Sequence, residues 1–492
     1  MDISIAAILI GGLLSVGLTY VSLWKYRRPL ALLVFAIFCI ASLSLLYLAG
    51  NRLWAIVVVA ISLYQLFNMY RAAYSRVQIE HLRQVVRKTA IRLWVFQLLV
   101  TLLGALLTNI FGFHKLRWIV LSCFEALMAI ILYASAYRHK KITKRIQLKT
   151  ELVDSRAPTL TVAIPARNET DDLYECLLSL IQCDYPKLEI LVLDDQSTTK
   201  RTPEIIRSFA QEGVEFIAGK TLEQGWLAKN WAYQQLLEAA NGEIVLFCGA
   251  DTRFSKEALR FLVSALINRN KSVVSILPKN NMPAGVLRKL LQPLRYCWEI
   301  CLPRRYLQRP PVLSTCWLAK RNFLVNSGGF KAVSRRVVCE SYFARTASIH
   351  DGYSFFQYDG IVSTKKNEDQ LETAIRLRYP QLHRQPELVA LVTVFEIAGM
   401  LGSLMLCVSA LAVASWVLAC LSGFAVIVFA LTFGLVSGIT YRRPTLVGYI
   451  VWPLACLMDL YLLHLSMWRY EFGTVLWKGR SVAPPGMHSD VS

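Results

Sequence analysis

Leu160-Thr-Val-Ala-Ile-Pro-Ala-Arg-Asn-Glu169 joins a strand pattern to a helix start in ten residues. Leu160–Ile164 is a run of apolar and β-branched residues, the pattern of a buried strand. Pro165 cannot donate a ladder hydrogen bond and is expected to stop the strand. Arg167, Asn168 and Glu169 then enter the first turn of a helix, where exposed N–H groups and the helix dipole favour an anion. Working outward, strand-like runs recur at Leu188–Leu193, Val214–Ile217, Ile244–Phe247 and Val273–Leu277. Helical patterns lie between most of them, at about 171–182, 203–211, 227–240 and 255–268. This alternation predicts an α/β domain with a mostly parallel sheet and helices on both faces. In such a sheet the ligand sits beyond the carboxyl ends of the strands.

The rest of the chain is unlike a soluble enzyme. Apolar residues make up 55% of its 492 residues, and the mean hydropathy is +0.42. Five apolar stretches, about 3–24, 29–50, 53–69, 93–113 and 118–137, are each near the length that crosses ~30 Å of hydrocarbon. The first has no basic start and no small-residue cleavage site, so it is expected to be retained. Basic residues cluster at Lys25/Arg27/Arg28, in six positions from Arg71 to Arg92, and at Arg138–Arg145, which five spans would bring to one side. The opposite side carries only Arg52 and then Lys115/Arg117. The positive-inside rule therefore puts the N-terminus outside and residues 138–385 in the cytoplasm. The net charge of +21 is thus membrane topology; no base-stacking module accompanies it, and nucleic acid is excluded as a partner. The polar, basic segment 70–92 reads either as an interfacial helix on anionic lipid or as a solvated loop helix.

These features divide the chain into an N-terminal membrane domain (1–150), a soluble domain (151–386), a C-terminal membrane domain of two or three spans (387–470) and a tail (471–492). Residues 388–440 can hold two spans and 445–467 one more, although 388–402, interrupted by Glu396, could lie in the interface instead. Charges within the apolar segments, Glu125, Glu396, Asp459 and His464, are isolated in sequence and form no ion-pathway pattern. The twelve cysteines include no CxxC pair and read as free thiols.

Chemistry-bearing residues fall at the strand ends of the soluble domain. Asp194 and Asp195 close the second strand; adjacent carboxylates repel, so a ligand or a base is expected to hold them, unless Asp194 only caps the turn that follows. Lys229 lies in the first turn of a helix opened by Gly225-Trp-Leu-Ala-Lys229, where a compact cation can meet phosphate. Asp251 follows the fourth strand within Gly249-Ala-Asp-Thr252. Arg376 and Arg378, in Gln370-x-x-Thr373-Ala-Ile-Arg-Leu-Arg-Tyr379, could clamp a diphosphate or form a basic patch at the membrane.

In this order and spacing, with Gly328-Gly-Phe330 further on, the motifs over roughly 155–385 resemble a family 2 glycosyltransferase, inverting and nucleotide-sugar-dependent. The ceramide and carotenoid glucosyltransferase branches are the most similar. The resemblance implies a GT-A-like fold and transfer of a hexose from a nucleotide-sugar, UDP-hexose first among them, to a membrane-lipid hydroxyl. It implies that Pro165, Ala166, Arg167 and Glu169 hold the nucleotide, that Asp194 and Asp195 read the base, and that Lys229, Arg376 and Arg378 meet the diphosphate. It implies a Mg²⁺ or Mn²⁺ ion on Asp251, although the family's usual Asp-x-Asp has Gly249 in its first position here. Inversion needs a base for the acceptor proton, and Glu340, in Cys339-Glu-Ser341, occupies the family's carboxylate motif as the catalytic candidate beside Asp251. Gly328-Gly-Phe330 matches an acceptor-side turn, and the tail Trp477-Lys-Gly-Arg480 matches a basic-aromatic segment kept near the active site, which requires an even number of C-terminal spans. The implied setting is multi-pass, in a bacterial plasma membrane, with the catalytic domain cytoplasmic. Two alternatives stand beside this reading: a processive polysaccharide synthase, and a degenerate transferase domain in a membrane scaffold or transporter.

Overall fold

A computed structural model describes residues 116–147, 157–280, 297–301, 310–364, 367–382, 384, 386–441 and 447–482. The four expected spans before residue 116 and the basic segment 70–92 lie outside the described residues.

Eight strands form one sheet: β1 (Leu160–Ala166), β2 (Leu188–Asp194), β3 (Val214–Ala218), β4 (Ile244–Cys248), β5 (Thr252–Phe254), β6 (Val273–Asn280), β7 (Cys316–Lys320) and β8 (Tyr353–Ser363). Their order is β3-β2-β1-β4-β7-β6-β8-β5. β3, β2, β1 and β4 are mutually parallel, as the alternation predicts, and β6 pairs parallel with β8. β6 runs in the same direction as that set, and β7 inserts antiparallel between β4 and β6, so the sheet is mostly parallel, as expected. The β7 segment, Cys316-Trp-Leu-Ala-Lys320, is a short apolar run with no alternation, the kind that periodicity cannot assign.

Successive β1 residues face opposite layers. Val162 and Ile164 join a core with Leu173 and Leu177 of the helix Asp171–Ile181 and Leu262 of the helix Ala258–Ile267. Ala163 packs with Tyr233 and Leu236 of the helix Ala228–Ala239. Burial on both faces explains why the parallel strands read as unbroken apolar runs. Pro165 does not end β1. Pairing with β4 stops at Ala163, while pairing with β2 runs on to Ala166. A residue without an N–H is tolerated where one neighbour has already left the ladder.

Among the described residues, three helices are long and apolar enough to cross a membrane: Trp118–Ile146, Leu391–Ala412 and Trp416–Thr440. They leave large apolar side chains exposed, Phe124, Leu127, Met405 and Ile427 among them, which water would penalise and lipid would not. The expected third C-terminal span falls instead on the helix Trp452–Phe472, which is not among those three.

Candidate active site

At the carboxyl ends of β1 and β4 opens a cavity of about 380 Å³. The turn after β1 supplies Pro165 and Glu169, the helix Ala228–Ala239 supplies Lys229, and the turn after β4 supplies Gly249 and Asp251. The helix Asn367–Gln381 contributes Arg376, and the last described residues contribute Trp477, Lys478 and Arg480. Five residues expected from the sequence thus meet in one cavity: Pro165, Glu169, Lys229, Asp251 and Arg376. Ser314, Thr315 and Asp172 also line it and carried no sequence signal.

The tail is the element that closes this end. Leu476–Trp477 and Arg480–Ser481 pair antiparallel as a hairpin, with Lys478 and Gly479 in the left-handed region at its tip. Arg480 Nη1 donates to both carboxylate oxygens of Asp195, at 2.8 and 2.9 Å. Lys478 Nζ is ion-paired with Glu169 and donates to the Arg167 carbonyl at 2.7 Å. Arg167 returns a bond from Nε to the Lys478 carbonyl and grips the β2 end through Nη1 to the carbonyls of Asp195 and Gln196. The Arg376 guanidinium lies over the Trp477 ring, 5.6 Å from its centroid. Burial pushes the carboxyls of Glu169 and Asp195 above their usual range, with Lys478 and Arg480 pulling the other way.

Arg167 and Asp195 therefore lie behind the cavity wall, tied to the hairpin. Ala166 continues β1 and accepts the Asp195 N–H at 2.8 Å. Asp194 caps the following turn, accepting from the backbone N–H and the hydroxyl of Ser197.

Lys229 sits over the Tyr233 ring, 5.3 Å from its centroid, and its ammonium is ion-paired with Glu340. Glu340 opens the helix Glu340–Ile349; its side chain is 0% exposed and does not line the cavity. Gly328 and Gly329 both take positive φ, so their turn needs glycine. That turn does not line the cavity, and Phe330 is buried against Tyr233, Phe247 and Trp317.

Arg378 is not part of this cavity. Only 5% exposed, it is ion-paired with Asp459 of the helix Trp452–Phe472, which also accepts from Trp298 Nε1 at 3.2 Å. Asp459, isolated in its sequence surroundings, is thus paired in the fold. Two residues apart on a helix, Arg376 and Arg378 leave it about 200° apart and so serve different neighbours.

Asp251 occupies the space above Gly249: a Cβ built there would lie 2.6 Å from Asp251 Oδ1. Among the described residues no group of three His, Cys, Asp or Glu is arranged to hold a metal ion. One cavity-facing carboxylate does suit an ion that takes its other ligands from phosphate oxygens and water, as Mg²⁺ does.

Residues 161–335 match the family described as Glycosyl transferase family 2. The chain is 28% identical over 162 residues to "Probable glycosyltransferase YdaM" of Bacillus subtilis (strain 168), covering 32% of this chain and 37% of that protein. It is 31% identical over 138 residues to "4,4'-diaponeurosporenoate glycosyltransferase" of Staphylococcus aureus (strain N315), covering 27% and 36%. Among solved structures, "Mannosyltransferase PcManGT from Pyrobaculum calidifontis in complex with GDP-Man and Mn2+" is 19% identical with a TM-score of 0.43, covering 70% of this chain and 100% of that one.

Proposed function

Since residues 161–335 match the glycosyl transferase family 2, we propose that this protein moves a hexose from a nucleotide-sugar to the hydroxyl of a membrane lipid, with inversion. The observation that carries this reading is the convergence of Lys229, Arg376 and the Trp477–Arg480 hairpin on Asp251 at the strand ends. Four cations around a polar cavity suit a diphosphate. The likeness over 138 residues to a carotenoid glycosyltransferase supports a lipid acceptor, and the apolar helices support a membrane setting for it. The charge asymmetry of the loops supports a cytoplasmic catalytic domain, within reach of nucleotide-sugars.

In this reading Pro165 and Glu169 flank the nucleotide, with Arg167 and Asp195 holding the wall behind it. Lys229 and Arg376 meet the diphosphate. Glu340 takes the acceptor proton. Asp251, with phosphate oxygens and water, would hold a divalent ion, which when bound neutralises charge on the leaving diphosphate. Arg378 supports the site from behind by fixing its helix.

The test is transfer by the purified protein from radiolabelled UDP-hexoses to total membrane lipid, followed by organic extraction and anomeric assignment of the product. Label in a single-sugar lipid of inverted anomer is expected. A water-soluble polymer, or no label in lipid from any donor, would overturn the reading.

A further inference from the structure

Lys229 is committed twice. It lines the cavity where the diphosphate is proposed to bind, yet its ammonium is held by Glu340. Glu340 offers one carboxylate oxygen to Lys229, while Oε2 is buried and without a hydrogen-bond partner. Around it stand Tyr233, whose ring lies under the Lys229 ammonium, and the Cys339 thiol, neither of which is a cation. So the ammonium is the charge that this buried carboxylate meets. A carboxylate gripped by a cation is a poor proton acceptor; the same carboxylate stripped of its cation is a strong one. Lys229 is 22% exposed on its side chain and sits on a flexible four-carbon stem, so it can swing without moving its helix.

We propose that Lys229 is a transferable cation that arms the base. This rests on the reading of the cavity as a nucleotide-sugar site. The diphosphate draws Lys229 off Glu340, and Glu340, now without its ion-pair partner, is left with both carboxylate oxygens open to the acceptor hydroxyl. The acceptor O–H bond breaks, the proton passes to Glu340, and the acceptor oxygen bonds to the anomeric carbon. The bond from that carbon to the diphosphate oxygen breaks, its electron pair leaving on the nucleoside diphosphate, whose added charge Lys229 faces. When the diphosphate departs, Lys229 returns to Glu340 and the proton is released to water. Acceptor activation is thereby confined to the donor-loaded enzyme.

The hand-over makes Glu340 a competitor of the donor for Lys229, and this has an unusual sign. Removing the carboxylate should tighten nucleotide binding while turnover falls. Calorimetric titration of the full-length protein with UDP, and with GDP as a second probe, reads the first effect. Glu340→Gln is expected to bind UDP about tenfold more tightly, the worth of one charge-assisted contact, while transfer drops ~10²–10⁴-fold. In a Lys229→Gln background the tightening should vanish. Glu340→Asp, whose carboxylate is withdrawn by one methylene, should shift affinity in the same direction and serves if the Gln variant does not fold. Wild-type binding with unchanged or weakened affinity in both Glu340 variants would overturn the hand-over alone. Failure of the wild type to bind either nucleotide would overturn the functional reading, and the hand-over with it.

Discussion

Asp251 and Gly249 share one turn, and the space above the glycine is already taken by the aspartate. Adding only a methyl there must push Asp251 Oδ1 aside, because the built Cβ lies 2.6 Å from it. The carboxylate is the far end of a mobile side chain, so the fold should tolerate this. Gly249→Ala is therefore expected to melt near the wild-type temperature yet lose transfer activity; unchanged activity would show that the position of Asp251 is not critical. Asp251→Asn should go further, abolishing detectable transfer with the melting temperature retained, since Asp251 is cavity-lining and its backbone carbonyl bonds to Thr364 are untouched. Full activity in that variant would remove Asp251 from the proposed reaction. Gly249→Asp supplies a second carboxylate at the crowded turn and should move the Mn²⁺ titration curve. A curve that stays in place would mean that no ion binds at this turn.

At the scale of elements, two joints hold the cavity together. The first is the hairpin, whose Arg480 and Lys478 each neutralise a half-buried or buried carboxylate on the sheet side. Truncation after Gly473 leaves Glu169 and Asp195 without these cations and opens one wall. UDP binding should weaken by at least an order of magnitude, as expected for the loss of two charge-assisted contacts, with the remaining domain still folded by circular dichroism. Undiminished UDP affinity would place the nucleotide elsewhere. The second joint is Arg378–Asp459, buried at 5% and 4% exposure, which ties the helix bearing Arg376 to the helix that leads into the hairpin. Breaking a buried pair by removing one partner costs about 3–5 kcal/mol. Asp459→Asn is thus expected to lower thermal stability markedly and activity with it, whereas an exposed pair such as Arg201–Asp171 should change neither.

Across the whole molecule, the catalytic sheet and the apolar helices are packed as neighbours: the helix Leu116–Gln147 runs alongside Trp416–Thr440 and ends against β8. Two apolar helices follow the soluble domain before the chain returns to the cavity as the hairpin. That return puts the tail against the carboxyl ends of β1 and β4. In the proposed topology the charge asymmetry of the loops puts that side in the cytoplasm. A tag inserted at residue 150 should be shielded from an impermeant reagent in intact cells, and one at the N-terminus should be labelled. Labelling in the opposite sense would reverse the orientation and remove access to cytoplasmic nucleotide-sugars.

The sequence by itself determined the features that depend on near neighbours. Apolar runs, helical periods and turn residues placed β1 to β4 with their helices to within a few residues, because local pattern and two-sided burial act over short stretches. Strand-end positions brought Glu169, Lys229 and Asp251 to one end of the sheet for the same reason. Which charges pair follows from the packing of elements far apart in the chain. Arg480 reaches Asp195 across 285 residues of chain, and Lys229 reaches Glu340 across 111. That packing also turned Arg378 away from Arg376 toward Asp459, and set β7 antiparallel between β4 and β6. A charge carries no mark in sequence of the partner that burial will bring to it; that choice belongs to the packing of distant elements.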